Sequence, residues 1–261
     1  SRFIAQNLVK NGFTTSFQNF SFPIVTYPQT ASCKLNNKTL KPGYDFIINA
    51  GSPKTQGTFP IIIASRSQIL KASTRDSIIQ ISKNKFICIT VQSNADTGKV
   101  VTDSLHKVLL YFQYKLKPDI AGLINHDTST SKWGISQTLH PYPIIEICKK
   151  LDISTLKTIT LDIQAQQIQC TSQNVIGILK GSQYPDSCIV FTCHYDHLGN
   201  MGKQCFFPGA NDNASGTALL LTMADYYSKH PQKYTVICIA FSAEEVGLIG
   251  SKFFVENPLI P

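Results

Sequence analysis

Three short segments carry most of the reactive side chains of this sequence: His194-Tyr195-Asp196-His197, the small-residue stretch Gly209-Ala210-Asn211-Asp212-Asn213-Ala214-Ser215-Gly216, and Ser242-Ala243-Glu244-Glu245. Imidazole and carboxylates gathered at one point form a ligand set suited to zinc. A ligand histidine needs its second ring N–H held by an acceptor, and His194-x-Asp196 supplies both partners locally. The small residues around Asp212 let the backbone pack tightly and present a carboxylate whose two oxygens can bridge two metals. Neighbours in sequence point in different directions, so one of Glu244 and Glu245 can hold a metal while the other acts as a base. Each segment alone also has a plainer reading: a polar turn at 194–197, an Asn or Ser helix cap within 209–216, a solvated loop or helix start at 244–245. Order and spacing favour the chemical reading. Asp212 follows His194 by 18 residues and Glu244 follows Asp212 by 32, with a strand or helix in each gap. The chain holds only four glutamates, Glu146, Glu244, Glu245 and Glu256, and two are adjacent. Adjacent like charges cost free energy unless a cation is near.

The surrounding pattern would place these segments together. Residues 187–193 (SCIVFTC) read as a buried strand. Residues 214–230 read as a helix with Leu220, Met223, Ala224 and Tyr227 on one face. Residues 234–241 (YTVICIAF) read as the next strand, and 247–256 as the next helix. Continuous apolar strands alternating with helices predict an α/β fold, a mostly parallel sheet with helices on both faces, and function gathers at the carboxyl ends of such strands. Two further strands are expected within 158–180. At the start, residues 2–12 read as an amphipathic helix with Phe3, Ile4, Leu8 and Val9 on one face and Gly12 as its stop. A strand over 13–26 and a linker over 27–43 follow. From Tyr44 to Ile153 the texture is short strands (DFIINA, FPIII, FICITV, IAGLIN) and turns, with one helix near Ser104–Lys115. His106, His126 and His140 stand isolated and are not ligand candidates.

Composition narrows the class. Of 261 residues, 43% are hydrophobic and only 15% charged, which makes the chain globular. No apolar run approaches the roughly 18 residues of a membrane span. The eight cysteines, Cys33, Cys88, Cys148, Cys170, Cys188, Cys193, Cys205 and Cys238, contain no C-x-x-C pair. Those in apolar runs, around Cys88, Cys188, Cys193 and Cys238, read as small buried hydrophobes. The even count permits disulfides without requiring them. The net charge of +8 is uneven: 18 Lys/Arg face 7 Asp/Glu over residues 1–150, and 6 face 9 over 151–261. The lysines are scattered and form no arginine cluster, so no nucleic-acid partner is expected. The chain starts with Ser1 and shows no signal peptide, which points to a processed or excised start.

HYDHLG, GANDNASGTALLL and FSAEEVGLIGSKFFVENP together resemble metallopeptidase family twenty-eight, the co-catalytic zinc aminopeptidases and their carboxypeptidase relatives. The resemblance is strong over 174–261 and weak over the first 26 residues. Residues 44–153 resemble, in texture and position, the protease-associated domain inserted into such enzymes. The resemblance therefore implies residues 1–43 as the N-terminal part of a peptidase domain, 44–153 as the insert, and 154–261 as the half of the peptidase domain that carries the first metal ligands. It also implies roles. His194 is a ligand of one zinc, Asp212 bridges two, Glu245 is a ligand of the second, Glu244 is the general base, and Asp196 is the carboxylate that orients His194. The peptide after the bridging aspartate is expected to be cis. The implied activity is hydrolysis of N-terminal peptide bonds by a hydroxide shared between two zinc ions, in a secreted or periplasmic protein with a peptide substrate. The family needs a further Asp and His, expected after Pro261, and none of His197, His230 or Asp225 reads as a substitute. The chain is thus expected to be the first part of a longer enzyme and inactive by itself. Two alternatives stand beside this: a non-catalytic peptidase-like binding protein, and a single-zinc glutaminyl cyclase.

Overall fold

A computed structural model describes residues 1–29, 31–90, 104, 107–110, 112, 119–126, 133–147 and 152–259. In chain order its elements begin with α1 (Arg2–Lys10), β1 (Thr14–Thr26), β2 (Ala31–Leu35), β3 (Lys38–Leu40), β4 (Phe46–Ile48) and β5 (Thr55–Ser65). There follow α2 (Arg66–Leu70), α3 (Ala72–Ile81), β6 (Phe86–Thr90), β7 (Gly122–His126), β8 (Ile144–Ile147), β9 (Thr158–Ile163) and β10 (Gln166–Leu179). The last are β11 (Tyr184–His194), β12 (Gly199–Met201), β13 (Cys205–Phe207), α4 (Ser215–Lys229), β14 (Tyr234–Phe241) and α5 (Ile249–Glu256). Among the described residues no helix is long and apolar enough to cross a membrane. The chain forms two units. The first comprises Ser1–Ile24, Gln169–Gly199 and Phe207–Pro261, the second Val25–Ile168 and Asn200–Phe206.

In the first unit four strands form a sheet in the order β1-β10-β14-β11. Its inner strand β14 is antiparallel to β10 and parallel to β11. Alternate residues of β14 face two different cores. Val236, Cys238 and Ala240 pack with Ile4, Ala5 and Leu8 of α1 and with Leu220 and Ala224 of α4. Ile237 and Ile239 pack with Ile176 of β10 and with Phe254 of α5. Burial on both faces is why this strand reads as one apolar run, and each buried valine or isoleucine on it contributes roughly 1.5–3 kcal/mol. The class is α/β with helices on both faces, as expected, but the sheet is mixed. Apolar continuity reports burial on both faces and says nothing of strand direction.

Three local expectations change. In α1 the buried side chains are Ile4, Ala5 and Leu8, whereas Phe3 and Val9 are exposed, because 3.6-residue periodicity turns them away from the 4–5–8 face. β11, expected to be buried, is mostly exposed, with Ile189 and Val190 each about 40% accessible, because it is a terminal strand with β14 on one side only. Cys188 on it is exposed, whereas Cys193 at its end is buried. Residues 27–43 are not a linker. They contain the β2–β3 hairpin, turned at Asn36 (φ 51°), whose side-chain oxygen accepts from the Lys157 and Thr158 amides.

The cysteine environments make a testable contrast. Burial pushes the thiols of Cys33, Cys88 and Cys238 up to about 12. The thiolate is the reactive form, so these three should resist iodoacetamide at pH 8 in the native protein, whereas Cys188 is alkylated within minutes. Peptide mapping by mass spectrometry reads each site separately. Equal native rates at Cys188 and Cys238 would contradict the edge position of β11.

The second unit holds an eight-stranded sheet in the order β3-β2-β9-β5-β6-β7-β8-β4. β5, β6, β7 and β8 run parallel, and β9 joins them to the β2–β3 hairpin by antiparallel pairing. The strand expectations in this stretch are met, but α2 and α3 were not expected. Their signal was legible: Ser65 and Gln68 form a capping box, each side chain bonding the other's amide at 3.1 and 2.8 Å. The helix expected at Ser104–Lys115 lies partly outside the described residues, as do His106 and Cys148. Its described part, 107–110, is helical, and Phe112 is buried with Ile69, Ile87 and Ile89.

Candidate active site

The parallel pairing of β11 with β14 places His194 opposite Phe241, so both strands deliver their following residues to one edge of the sheet. The Tyr195 amide donates to the Phe241 carbonyl at 3.0 Å, extending the ladder one step past the strand end. Beyond β14 the chain turns sharply at Ala243, buried and left-handed at φ 57°. A non-glycine residue in that region costs on the order of 1 kcal/mol, which the surrounding hydrogen bonds must offset. Buried Asn174 of β10 supplies part of that: its oxygen accepts from the Ser242 amide at 3.2 Å and its nitrogen donates to the Gly250 carbonyl at 2.8 Å. Asp196 supplies the rest. Its two carboxylate oxygens accept from the main-chain amides of Glu244 and Glu245 at 3.1 and 3.2 Å. The loop after β11 thereby holds the loop after β14.

The third segment enters through Gly209, left-handed at φ 65°, and the irregular turn Ala210–Ala214. The Asp212–Asn213 peptide is cis, as the family resemblance implied. Asn213 caps the start of α4, its side-chain oxygen accepting from the Gly216 amide at 3.0 Å. In the first turn of α4, the Thr217 hydroxyl donates to the His194 carbonyl at 3.1 Å and so ties the helix to the end of β11.

These ties bring His194 Nε2 to 3.0 Å from Asp212 Oδ1 and 3.9 Å from Glu244 Oε2. The side chains of His194, Asp196 and Glu245 are largely buried, Glu244 is about one third exposed and Asp212 about two thirds. His194 Nδ1 lies 3.2 Å from the Asp196 carbonyl oxygen and 3.8 Å from its carboxylate. The ring N–H is therefore held by the main chain of Asp196, because the carboxylate is already committed to the amides of 244 and 245. Nδ1 is thus the engaged ring nitrogen, and Nε2 faces Asp212.

Glu245 turns toward His197, with Oε1 2.6 Å from Nδ1. Burial pushes its carboxyl above the usual range, the hydrogen bond to and charge of His197 pull it back, and the carboxylates of Asp212 and Glu244 push it up again. Three carboxylates thus repel one another here, and among the described residues the ion pairs they make are to histidines. Among the described residues no three His, Cys, Asp or Glu side chains are already gathered as a metal cluster. The arrangement is a His194–Asp212 pair with Glu244 beside it and Glu245 held by His197.

All five candidate residues, His194, Asp196, Asp212, Glu244 and Glu245, therefore gather at one sheet edge. His197 was missed as a member of this group. Its signal was its place directly after Asp196 on the same loop. His230 and Asp225 are engaged elsewhere, with the Tyr226 carbonyl and the Lys229 ammonium.

Comparison with known proteins follows the same segment. Residues 174–260 match the model of peptidase family M28. Aminopeptidase YwaD of Bacillus subtilis is 42% identical over 119 residues, 44% of this chain and 24% of that protein. A probable zinc metalloprotease of Pyrenophora tritici-repentis is 40% identical over 89 residues, 33% of this chain and 18% of that protein. The match thus spans about a quarter or less of these relatives. Among solved structures, BSAP, a zinc aminopeptidase from Bacillus subtilis, superposes with TM-score 0.65 at 24% identity, over 98% of this chain and 57% of that one. A peptidase M28 precursor from Shewanella amazonensis superposes with TM-score 0.70 at 17% identity, over 98% of this chain and 60% of that one. At such identities the structures establish the fold, and the sequence match establishes a similarity: residues 174–260 are similar to peptidase family M28.

Proposed function

We propose that this chain contributes His194, Asp212, Glu244 and Glu245 to a zinc-dependent exopeptidase, an aminopeptidase that hydrolyses N-terminal peptide bonds with two zinc ions and Glu244 as general base. The observation that carries the reading is the approach of His194 Nε2 to Asp212 Oδ1 at 3.0 Å with Glu244 alongside, at the carboxyl ends of two adjacent parallel strands. The donor chemistry fits zinc. His194 has its Nδ1 engaged and Nε2 facing the site, and the repulsion among Asp212, Glu244 and Glu245 is what a dication would relieve. His194 and Asp212 would hold one ion, and Asp212 and Glu245 the other. Zinc, when bound, supplies a Lewis acid and brings the acidity of water near neutral pH.

The remaining work falls to the chain. Asp196 fixes the backbone of Glu244 and Glu245, so their carboxylates enter the site from a held main chain. Glu244, partly open to solvent, takes one proton from the attacking water. It returns that proton to the departing amine as the C–N bond breaks, and ends the cycle ionised. Residues 44–153 are read as a protease-associated insert. What supports this is that they belong to a second unit with a sheet of its own, and that the chain returns from it to the first unit.

The full-length protein, stripped of metal by a chelator, should lose hydrolysis of amino-acid anilides and regain it with two equivalents of zinc. Anilides acetylated at the amine should be refused. Folded protein that hydrolyses nothing in zinc, or hydrolyses equally without it, overturns the proposal, and one equivalent of bound zinc would point to the cyclase reading.

A further inference from the structure

We propose that His197 is the positioning residue for Glu245, and that its imidazole also couples Glu245 to the turn that carries Asp212. The inference rests on the reading of Glu245 as a zinc ligand. Two independent observations carry it. The first is the hydrogen bond: His197 Nδ1 lies 2.6 Å from Glu245 Oε1, between residues 48 apart in sequence. Both side chains are more than three quarters buried. The second lies on another side of the same ring. Gly209 is left-handed at φ 65°, and a Cβ placed on it would stand 2.6 to 2.8 Å from His197 Cγ, Cδ2 and Cβ. The imidazole thus fills the space where any other residue at 209 would put its side chain. Three residues later comes Asp212.

Glu245 is held at both ends by one loop. Its amide donates to Asp196 Oδ2, and its carboxylate oxygen Oε1 is taken by His197, one residue further on. A glutamate carries three rotatable side-chain bonds, and fixing them costs rotamer freedom. With one oxygen bonded to His197, that loss is met before any metal arrives and the other oxygen is left for the ion. A partner of this kind behind a ligand typically changes metal affinity by about 10–100-fold. The wedge against Gly209 adds a geometric link: the ring that orients Glu245 also sets how closely the turn of Asp212 approaches it.

The test is zinc titration of the full-length protein, read by calorimetry, with the thermal unfolding of the metal-free protein measured in parallel. His197→Phe keeps a ring against Gly209 and removes the donor. It should weaken one of the two zinc ions by about 10–100-fold, leave the other unchanged, and leave metal-free unfolding near that of the parent. His197→Asn carries an N–H near the position of Nδ1 and should recover most of the lost affinity. Should His197→Phe not fold, His197→Leu replaces it in the same comparison. Two zinc affinities identical to those of the parent in a folded variant lacking the donor would overturn the role of His197 while leaving the peptidase reading intact. A parent protein that binds no zinc would overturn both.

Discussion

Glu244→Gln should lower kcat for anilide hydrolysis by about 10²–10⁴-fold, the range supplied by a positioned general base, while the protein still binds two zinc ions. Glutamine has the shape of glutamate, and the Glu244 amide bond to Asp196 is made by the main chain, so the loop keeps its position. What the amide lacks is a site to accept and return a proton. Glu244 is not among the proposed ligands; it stands 3.9 Å from His194 Nε2, beside the His194–Asp212 pair. The checks are kcat and KM on one substrate and metal content on the same preparation. Loss of zinc together with activity would make Glu244 a ligand, and full activity would remove it from the mechanism.

Asp196→Ala should be the most destabilising single change at this edge. It strips the acceptor from two main-chain amides, those of Glu244 and Glu245, in a setting where the Asp196 side chain is less than one fifth exposed. Hydrogen bonds to a charged acceptor contribute about 1.5–3 kcal/mol each. Partial exposure and distances just above 3 Å favour the lower end, giving a total of about 2–4 kcal/mol. Asp196→Asn should lie between, since one oxygen remains for one amide while the NH₂ group meets the other. Urea unfolding with an unchanged m-value measures this directly. Because the same loop sets where Glu244 and Glu245 emerge, hydrolysis should fall in step. An Asp196→Ala protein as stable as the parent would mean that the amides of 244 and 245 find other acceptors.

Much of the site was legible because its residues sit in strong local patterns. The run YTVICIAF announces a strand buried on both faces, and it leads directly to Glu244 and Glu245. SCIVFTC announces another and leads to His194. The capping asparagine and the small residues around Asp212 mark the start of α4. What misled was also local. SCIVFTC has the same texture as YTVICIAF, yet one is an inner strand and the other an edge, and texture does not count neighbours. The β2–β3 hairpin hid among Asn, Lys and Pro residues that suit a linker equally well, and the capping box before α2 went unread among strand-like neighbours.

The amino-acid sequence by itself determined which residues have the chemistry, where the strands and helices that carry them begin, and the similarity of residues 174–260 to peptidase family M28. Those properties reside in side-chain type, periodicity and capping, all of which act over a few residues. Only the tertiary structure decided how the groups are shared out. It gave the Asp196 carboxylate to two amides instead of to His194, paired His197 with Glu245, and set its ring against Gly209. Each of these contacts depends on β11 lying parallel to β14 with His194 opposite Phe241. A register between strands more than forty residues apart is set by packing, and a shift of one residue would turn every one of these side chains to the opposite face.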